Sequence, residues 1–323
     1  MDDAWTGVAV REVLNPPDLE ADLAYLDDMV LVRRTEEQLL ELFGKGVLTG
    51  TTHTSIGQES CSVGVLTALD RERDVVFSNH RCHGHFLAYG GPLEMLFGEL
   101  MGKATGASAG IGGSQQLHYR NFYSSGILGG TIAAATGMAL AEKLKGSGAL
   151  VTAFMGDGAF GEGIVYESMN IASLWGLPIL YVVEANGWAQ STPTGLEHAG
   201  RLADRPRAFN LATQELEADG PAVVHAAAQE MMNSVRRRHP GCLILNTYRL
   251  SPHSKGDDDR PLDERERAAA SDPLNRLLQV APAVAVASAE SRARAAILES
   301  LDRALHADGL SYQAFQERIA PLP

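Results

Sequence analysis

The chain has 323 residues, 45% of them apolar, with 33 glycines and 27 Lys plus Arg against 40 Asp plus Glu, a formal net charge of −13. This composition excludes a mostly disordered chain and supplies the apolar side chains of a sizeable core. The negative balance repels nucleic acid and anionic membrane surfaces, so any anionic ligand needs a dedicated basic site.

The start, Met1-Asp2-Asp3, is acidic where a secretion signal would be basic, and the apolar stretch 127–150 is interrupted by Glu142, Lys143 and Lys145. No membrane span is expected, and a cytoplasmic protein is. After Pro16-Pro17-Asp18, the apolar residues Leu19, Leu23, Leu26 and Val30 recur at helical spacing, predicting an amphipathic helix in an N-terminal helical extension over residues 1–45. From 46 to 260, short β-rich runs alternate with helical patterns, with strands expected at 74–78, 149–155, 177–184 and 242–249. Such alternation predicts an α/β domain with a mostly parallel sheet covered by helices on both faces. The run Phe97 to Ala104 brushes against a P-loop but has too few residues between its glycines, and Ala104 stands where Ser or Thr is needed. Thr131 to Lys145, Ala-rich and closed by Gly146, should be a helix whose small-residue face lets another backbone approach. Ser251 to Asp259 is polar and turn-rich and should be a mobile surface loop. Residues 261–323 read as a C-terminal helical extension, helical from about 284 to 319. The scattered Cys61, Cys82 and Cys242 lack disulfide or zinc spacing and are expected to be reduced packing residues. His80, His83 and His85 lie close together in sequence but lack a fourth ligand, which argues against a zinc site.

The sharpest local signal is Gly156-Asp157-Gly158-Ala159-Phe160-Gly161, between a strand pattern and a helix expected to run to Trp175. In a parallel sheet this turn lies at a strand's carboxyl end, where ligands bind. Its letters fit G-x-G-x-x-G, and Glu184 could serve as the ribose-binding acid of a dinucleotide site. Asp157 argues otherwise, because its carboxylate would face a pyrophosphate unless a divalent cation stood between them. Magnesium suits that place, being typically held by one or two protein oxygens plus substrate phosphates. Asn186, at the end of the next predicted strand, offers a second oxygen, and a backbone carbonyl just beyond it a third.

Gly156-Asp157-Gly158, followed after 27 residues by Asn186, resembles the thiamine diphosphate motif. The segments His53-Thr54-Ser55-Ile56-Gly57-Gln58-Glu59, Asn79-His80-Arg81-Cys82-His83-Gly84-His85, Gly110 to Ser114, Gly126 to Gly130 and Thr247 to Ser254 extend the likeness over about residues 20–275. Together they resemble the alpha subunit of the decarboxylating component of 2-oxo acid dehydrogenase complexes of the pyruvate, branched-chain and acetoin type. The resemblance implies a thiamine-diphosphate-binding fold, with magnesium held by Asp157, Asn186 and the carbonyl of Trp188. It implies that the amides of Gly158 and Ala159 meet the diphosphate at a helix start, where an anion is favoured, and that Arg81 and His253 reach it from the other side. Backbone groups of Gly126 and Leu128 would contact the aminopyrimidine. His53, His80 and His253 would surround the reacting centre, with His53 and His253 available for proton transfer or for stabilising a substrate carboxylate.

Departures from that family cluster near the substrate: His80 stands where tyrosine is common, Gly130-Thr131-Ile132 lacks a usual glutamine, and the loop has one histidine instead of two. Ser254 matches a position phosphorylated in some relatives, although nothing here calls for a kinase. The implied reaction is decarboxylation of a 2-oxo acid with transfer of the acyl or hydroxyalkyl fragment to a lipoyl or similar carrier. Half of a split transketolase-like enzyme acting on a ketose phosphate is an alternative, and an NAD(P)-binding oxidoreductase is a weaker one. Too few residues follow position 260 for a second sheet domain, so a beta subunit is expected as partner, as two alpha plus two beta chains.

Overall fold

The computed structural model describes residues 18–254, 256 and 258–319. The acidic start and Pro16-Pro17 lie outside these, as do Lys255 and Asp257 of the predicted loop. The strands are β1 (Val75–Ser78), β2 (His118–Tyr119), β3 (Phe122–Ser124), β4 (Val151–Gly156), β5 (Ile179–Ala185), β6 (Trp188–Ala189), β7 (Thr192–Pro193), β8 (Ala212–Glu217) and β9 (Gly241–Asn246). Seven form one sheet in the order β2-β3-β1-β4-β5-β9-β8, and β6 and β7 form a separate small hairpin. Every pairing in the main sheet is parallel except β2 with β3.

Alternate residues of each central strand enter two different cores, so both faces are apolar and the strands read as continuous hydrophobic runs. Phe154, Leu180, Val182, Leu243 and Leu245 pack under the helices Leu26–Gly44, Glu59–Thr67, His83–Tyr89 and Pro221–Arg236. Val151, Ala153, Ile179, Tyr181, Val183 and Ile244 face the helices Leu128–Lys145 and Gly163–Trp175. A Val, Leu or Ile removed fully from water contributes about 1.5–3 kcal/mol, so these two layers hold the strand ends in place. The three cysteines are buried and free, as expected, and burial pushes the Cys82 thiol up to about 12.

Several elements differ from expectation. β8 escapes a hydrophobicity reading because its Thr-Gln-Glu sequence lies at the sheet edge, only partly buried. The helix expected from Asp157 to Trp175 is two helices, Asp157–Phe160 and Gly163–Trp175. The break is at Glu162, which is extended and turns its carboxylate to accept from the Gly129 amide at 3.1 Å, giving a free N–H of the Leu128–Lys145 helix a partner. The expected Leu128–Lys145 helix does close on Gly146 in the left-handed conformation. The helical stretch from 284 is likewise divided into Ala283–His306 and Tyr312–Ile319. Lys103, from the rejected P-loop run, donates to the carbonyls of Leu305 at 3.1 Å and Ala307 at 2.7 Å and so caps the first of these helices. Among the described residues, no helix is long and apolar enough to cross a membrane.

Candidate active site

The chain leaves β1 to pair β3 on one side and β4 on the other, so a crevice opens at the carboxyl ends where the crossovers diverge. A cavity of about 520 Å³ lies there, and all eleven residues singled out from the sequence line it: His53, His80, Arg81, Gly126, Leu128, Asp157, Gly158, Ala159, Asn186, Trp188 and His253. The loop after β1 carries His80 and Arg81, and Gly126 and Leu128 follow β3. Asp157 to Ala159 follow β4, and Asn186 follows β5. In register, Gly156 pairs with Glu184, which brings Asp157 and Asn186 out at neighbouring strand ends.

One end of the cavity is a set of oxygens. Asp157 is 2% exposed. Its Oδ2 accepts from the Gly187 amide at 2.8 Å and the Thr194 hydroxyl at 2.6 Å, while among the described residues Oδ1 takes only its neighbour Gly158 N–H at 3.2 Å. The carboxylate is thus fixed by one oxygen and keeps lone pairs on the other. Asn186 Oδ1 accepts from the Trp188 amide at 3.1 Å, and its Nδ2 donates to Gln58 Oε1 at 3.4 Å, so the orientation of the side-chain amide is fixed. The Trp188 indole donates to Glu264 at 3.0 Å, anchoring that turn. Gly158 is required by packing: a Cβ there would lie 2.5 Å from the Ala189 Cβ.

The other end is a group of imidazoles. The ring centroids of His53 and His80 are 4.7 Å apart, those of His53 and His253 4.8 Å, and those of His80 and His253 5.4 Å. Gln115 Nε2 stands 3.4 Å from His53 Nδ1. Both ring nitrogens of His80 are buried without a hydrogen-bond partner among the described residues, a state that calls for a polar ligand. Burial, and then the adjacent Arg81 guanidinium, push His80 down to about 2. Arg81 is 5% exposed, donates to the Thr54 carbonyl, and is lowered to about 10 by burial and then by Arg249, against the pull of Glu184 and Glu36. The nitrogens of the three histidines lie within 4.8 Å of one another, a spacing that invites a metal. The same arginines that disfavour a charged His80 disfavour a cation there and favour an anion.

His83 and His85, next to His80 in sequence, face elsewhere: His83 is 3.1 Å from both Glu36 and the Ser114 carbonyl, and His85 is 3.2 Å from Glu184. Sequence reasoning gave no site role to Gln58, Gln115 or Glu162 on the cavity wall, and gave Glu184 one only in the dinucleotide reading. Gln58 and Gln115 lie in or directly beside the quoted motif segments, so the signal was present. Glu162 was visible only at the start of a helix pattern. The base of the 251–259 loop is drawn together by Arg260, which donates to Ser251 O and to both oxygens of Asp258, holding that carboxyl down at about 2.

Residues 27–304 match the family described as dehydrogenase E1 component. The chain belongs to that family. Among its relatives are the pyruvate dehydrogenase E1 component alpha subunits of Zymomonas mobilis, 34% identical over 95% of this chain and 86% of the relative, and of Rhizobium meliloti, 37% identical over 74% and 70%. The alpha subunit of acetoin:2,6-dichlorophenolindophenol oxidoreductase from Bacillus subtilis is 34% identical over 86% of this chain and 85% of the relative. With the family assigned, the dinucleotide reading of Gly156 to Gly161 falls away. The donor set fits a magnesium diphosphate: oxygens of Asp157, Asn186 and Trp188 suit a hard cation, and the buried Arg81 guanidinium suits a phosphate.

Proposed function

We propose that this chain is the alpha subunit of a thiamine-diphosphate-dependent enzyme that decarboxylates a 2-oxo acid and passes the acyl or hydroxyalkyl fragment to a lipoyl-type carrier. Family membership supports the reaction class, and the observation that carries the site is the meeting of all eleven candidate residues on one cavity wall. Asp157, Asn186 and the Trp188 carbonyl hold magnesium. The amides of Gly158 and Ala159, with Arg81 and His253, bind the diphosphate, and the backbone of Gly126 and Leu128 meets the pyrimidine. When bound, the cofactor supplies the carbanion chemistry. His53 and His253 hold or move a proton at the reacting end, and His80, neutral at working pH, orients by hydrogen bonding.

A beta subunit completes the site, in an assembly of two alpha and two beta chains acting in the cytoplasm. Two observations support a partner. The described residues hold one main sheet and no second sheet domain. Beside the cavity, Ile127 is 69% exposed and Ile164 37%, apolar side chains at the starts of the Leu128–Lys145 and Gly163–Trp175 helices. The test is titration of thiamine diphosphate with magnesium into the chain alone and with its beta-type partner, followed by assay of 2-oxo acid decarboxylation. Turnover is expected only for the pair. Turnover by the rigorously purified single chain would defeat the half-site reading, and absence of cofactor binding by the pair would defeat the function.

A further inference from the structure

The loop carrying His53 (residues 51–58) lies between two helices, and the segment carrying Gln115 (residues 108–116) leads into β2, where Glu99 and Ser124 also bond it; side chains tie both in place. Both converge on one fully buried pair, Glu36 and His83, each 0% exposed. Glu36 Oε1 accepts from both the amide and the hydroxyl of Ser55, each at 2.9 Å. Its Oε2 faces His83 Nδ1 at 3.1 Å. His83 Nε2 faces the Ser114 carbonyl at 3.1 Å, and the Ser114 hydroxyl in turn donates to the Thr51 carbonyl at 2.6 Å. The two loops are therefore joined into a closed ring through one carboxylate and one imidazole.

The chemistry of the ring fixes its charge. With the Glu36 carboxyl ionised, a carbonyl and a carboxylate are both acceptors, so His83 donates from both nitrogens, as the imidazolium does. Burial would raise the Glu36 carboxyl, yet the His83 charge and the bonds from His83 and Ser55 outweigh it and lower it instead. A buried imidazolium and carboxylate, each with its remaining bonding capacity directed at a cavity loop, is an expensive arrangement that a folded chain would replace by apolar packing if only stability were at stake. Gly84 shows how closely the parts are fitted: a Cβ on it would lie 2.6 Å from the Ser55 hydroxyl that bonds Glu36. Only a residue without a side chain lets the helix carrying His83 approach the loop carrying His53.

We propose that Glu36 and His83 are positioning residues, a buried carboxylate–imidazolium clamp that holds His53 and Gln115 at the anion-receiving end of the cavity. The clamp touches neither substrate nor cofactor and acts through the loops. It rests on the proposed function in that its readout includes binding of thiamine diphosphate.

The test uses the complete alpha–beta complex with histidine-selective nitrogen-15 labelling, His83 being assigned by its loss in His83→Gln. At pH 7 both ring nitrogens of His83 should be protonated; a single neutral tautomer overturns the clamp. Calorimetric titration with thiamine diphosphate and magnesium should give a dissociation constant at least tenfold higher in His83→Gln. Gly84→Ala, which removes no charge and only wedges the helix from the loop, should raise it comparably. A pair of merely structural importance would lower the melting temperature of the cofactor-free complex while the folded fraction bound cofactor as wild type does, and that result overturns the proposal. Should His83→Gln fail to fold, Gly84→Ala and the nitrogen-15 pattern decide. A wild-type complex that does not bind the cofactor would sink the proposed function alone, leaving the nitrogen-15 pattern to decide the clamp.

Discussion

The two ends of the cavity are made in different ways. The oxygen end hangs on neighbouring strands in fixed register, so backbone hydrogen bonds place Asp157 and Asn186. The imidazole end gathers residues from loops more than 170 positions apart, His53 and His253 among them, and places them by side-chain bonds such as Arg81 to Thr54 O and Gln115 to His53. A register-built site tolerates local damage around it, whereas a loop-built site depends on every distant tie.

Replacing Asp157 is expected to have the largest effect. Asp157→Asn removes the Asp157 carboxylate while retaining an oxygen for the Gly187 amide and Thr194. Magnesium-dependent affinity for thiamine diphosphate should fall at least about 100-fold, ~2.7 kcal/mol, with the melting temperature of the cofactor-free protein nearly unchanged. Unaltered affinity by calorimetry would remove the metal assignment. Arg81→Met should follow, at about 10- to 100-fold, since a hydrogen bond to a charged group contributes about 1.5–3 kcal/mol. Unlike Asp157→Asn, it should weaken binding of inorganic pyrophosphate without metal too, and equal pyrophosphate affinity in mutant and wild type would break the contrast.

The next test concerns pH and the imidazole end alone. In the fold His80 is held down to about 2, against about 6.5 in the unfolded chain, so between those values the unfolded chain binds more protons. Stability conferred by the neutral ring is complete above pH 6.5 and is lost as the pH falls below it, by up to about 1.4 kcal/mol per pH unit. Denaturant unfolding at pH 7 and pH 5 should show a smaller loss in His80→Gln than in wild type; equal losses would mean that His80 is not held neutral. The smallest effect is expected from Thr194→Val, which removes one of the two donors on Asp157 Oδ2. Magnesium dependence should weaken by a few-fold, in line with about 1 kcal/mol for a single hydrogen bond, as read by metal titration at fixed cofactor.

What was legible in the sequence follows the same division. β4 and β5 stood out because strands buried on both faces are continuous apolar runs, and the turn after each carried a recognisable motif. β8 was invisible because an edge strand with one half-buried face needs no such run. The break at Glu162 could not be foreseen because its cause, the Gly129 amide, is 33 positions away. The imidazole end was legible only as a family resemblance: nothing local says that His53, His80 and His253 meet while His83 and His85 turn toward Glu36 and Glu184. The Glu36 carboxylate, sitting in an amphipathic helix like any solvated acid, gave no sign that it is buried.

Arg33 donates to Glu59 and, across 239 positions, to Asp272, while the same Glu59 carboxylate accepts the Gly57 amide of the loop that carries His53. During synthesis at about 5–20 residues per second, Asp272 leaves the ribosome on the order of 10–50 seconds after Arg33. Until then the guanidinium has one of its two carboxylate partners, and the floor beneath the His53 loop waits on a residue outside the sheet. The nascent chain can therefore complete its sheet, whose last strand ends at Asn246, about 1–5 seconds before it can complete its site, and a product truncated ahead of Asp272 would carry every cavity residue yet hold them on an unfinished foundation.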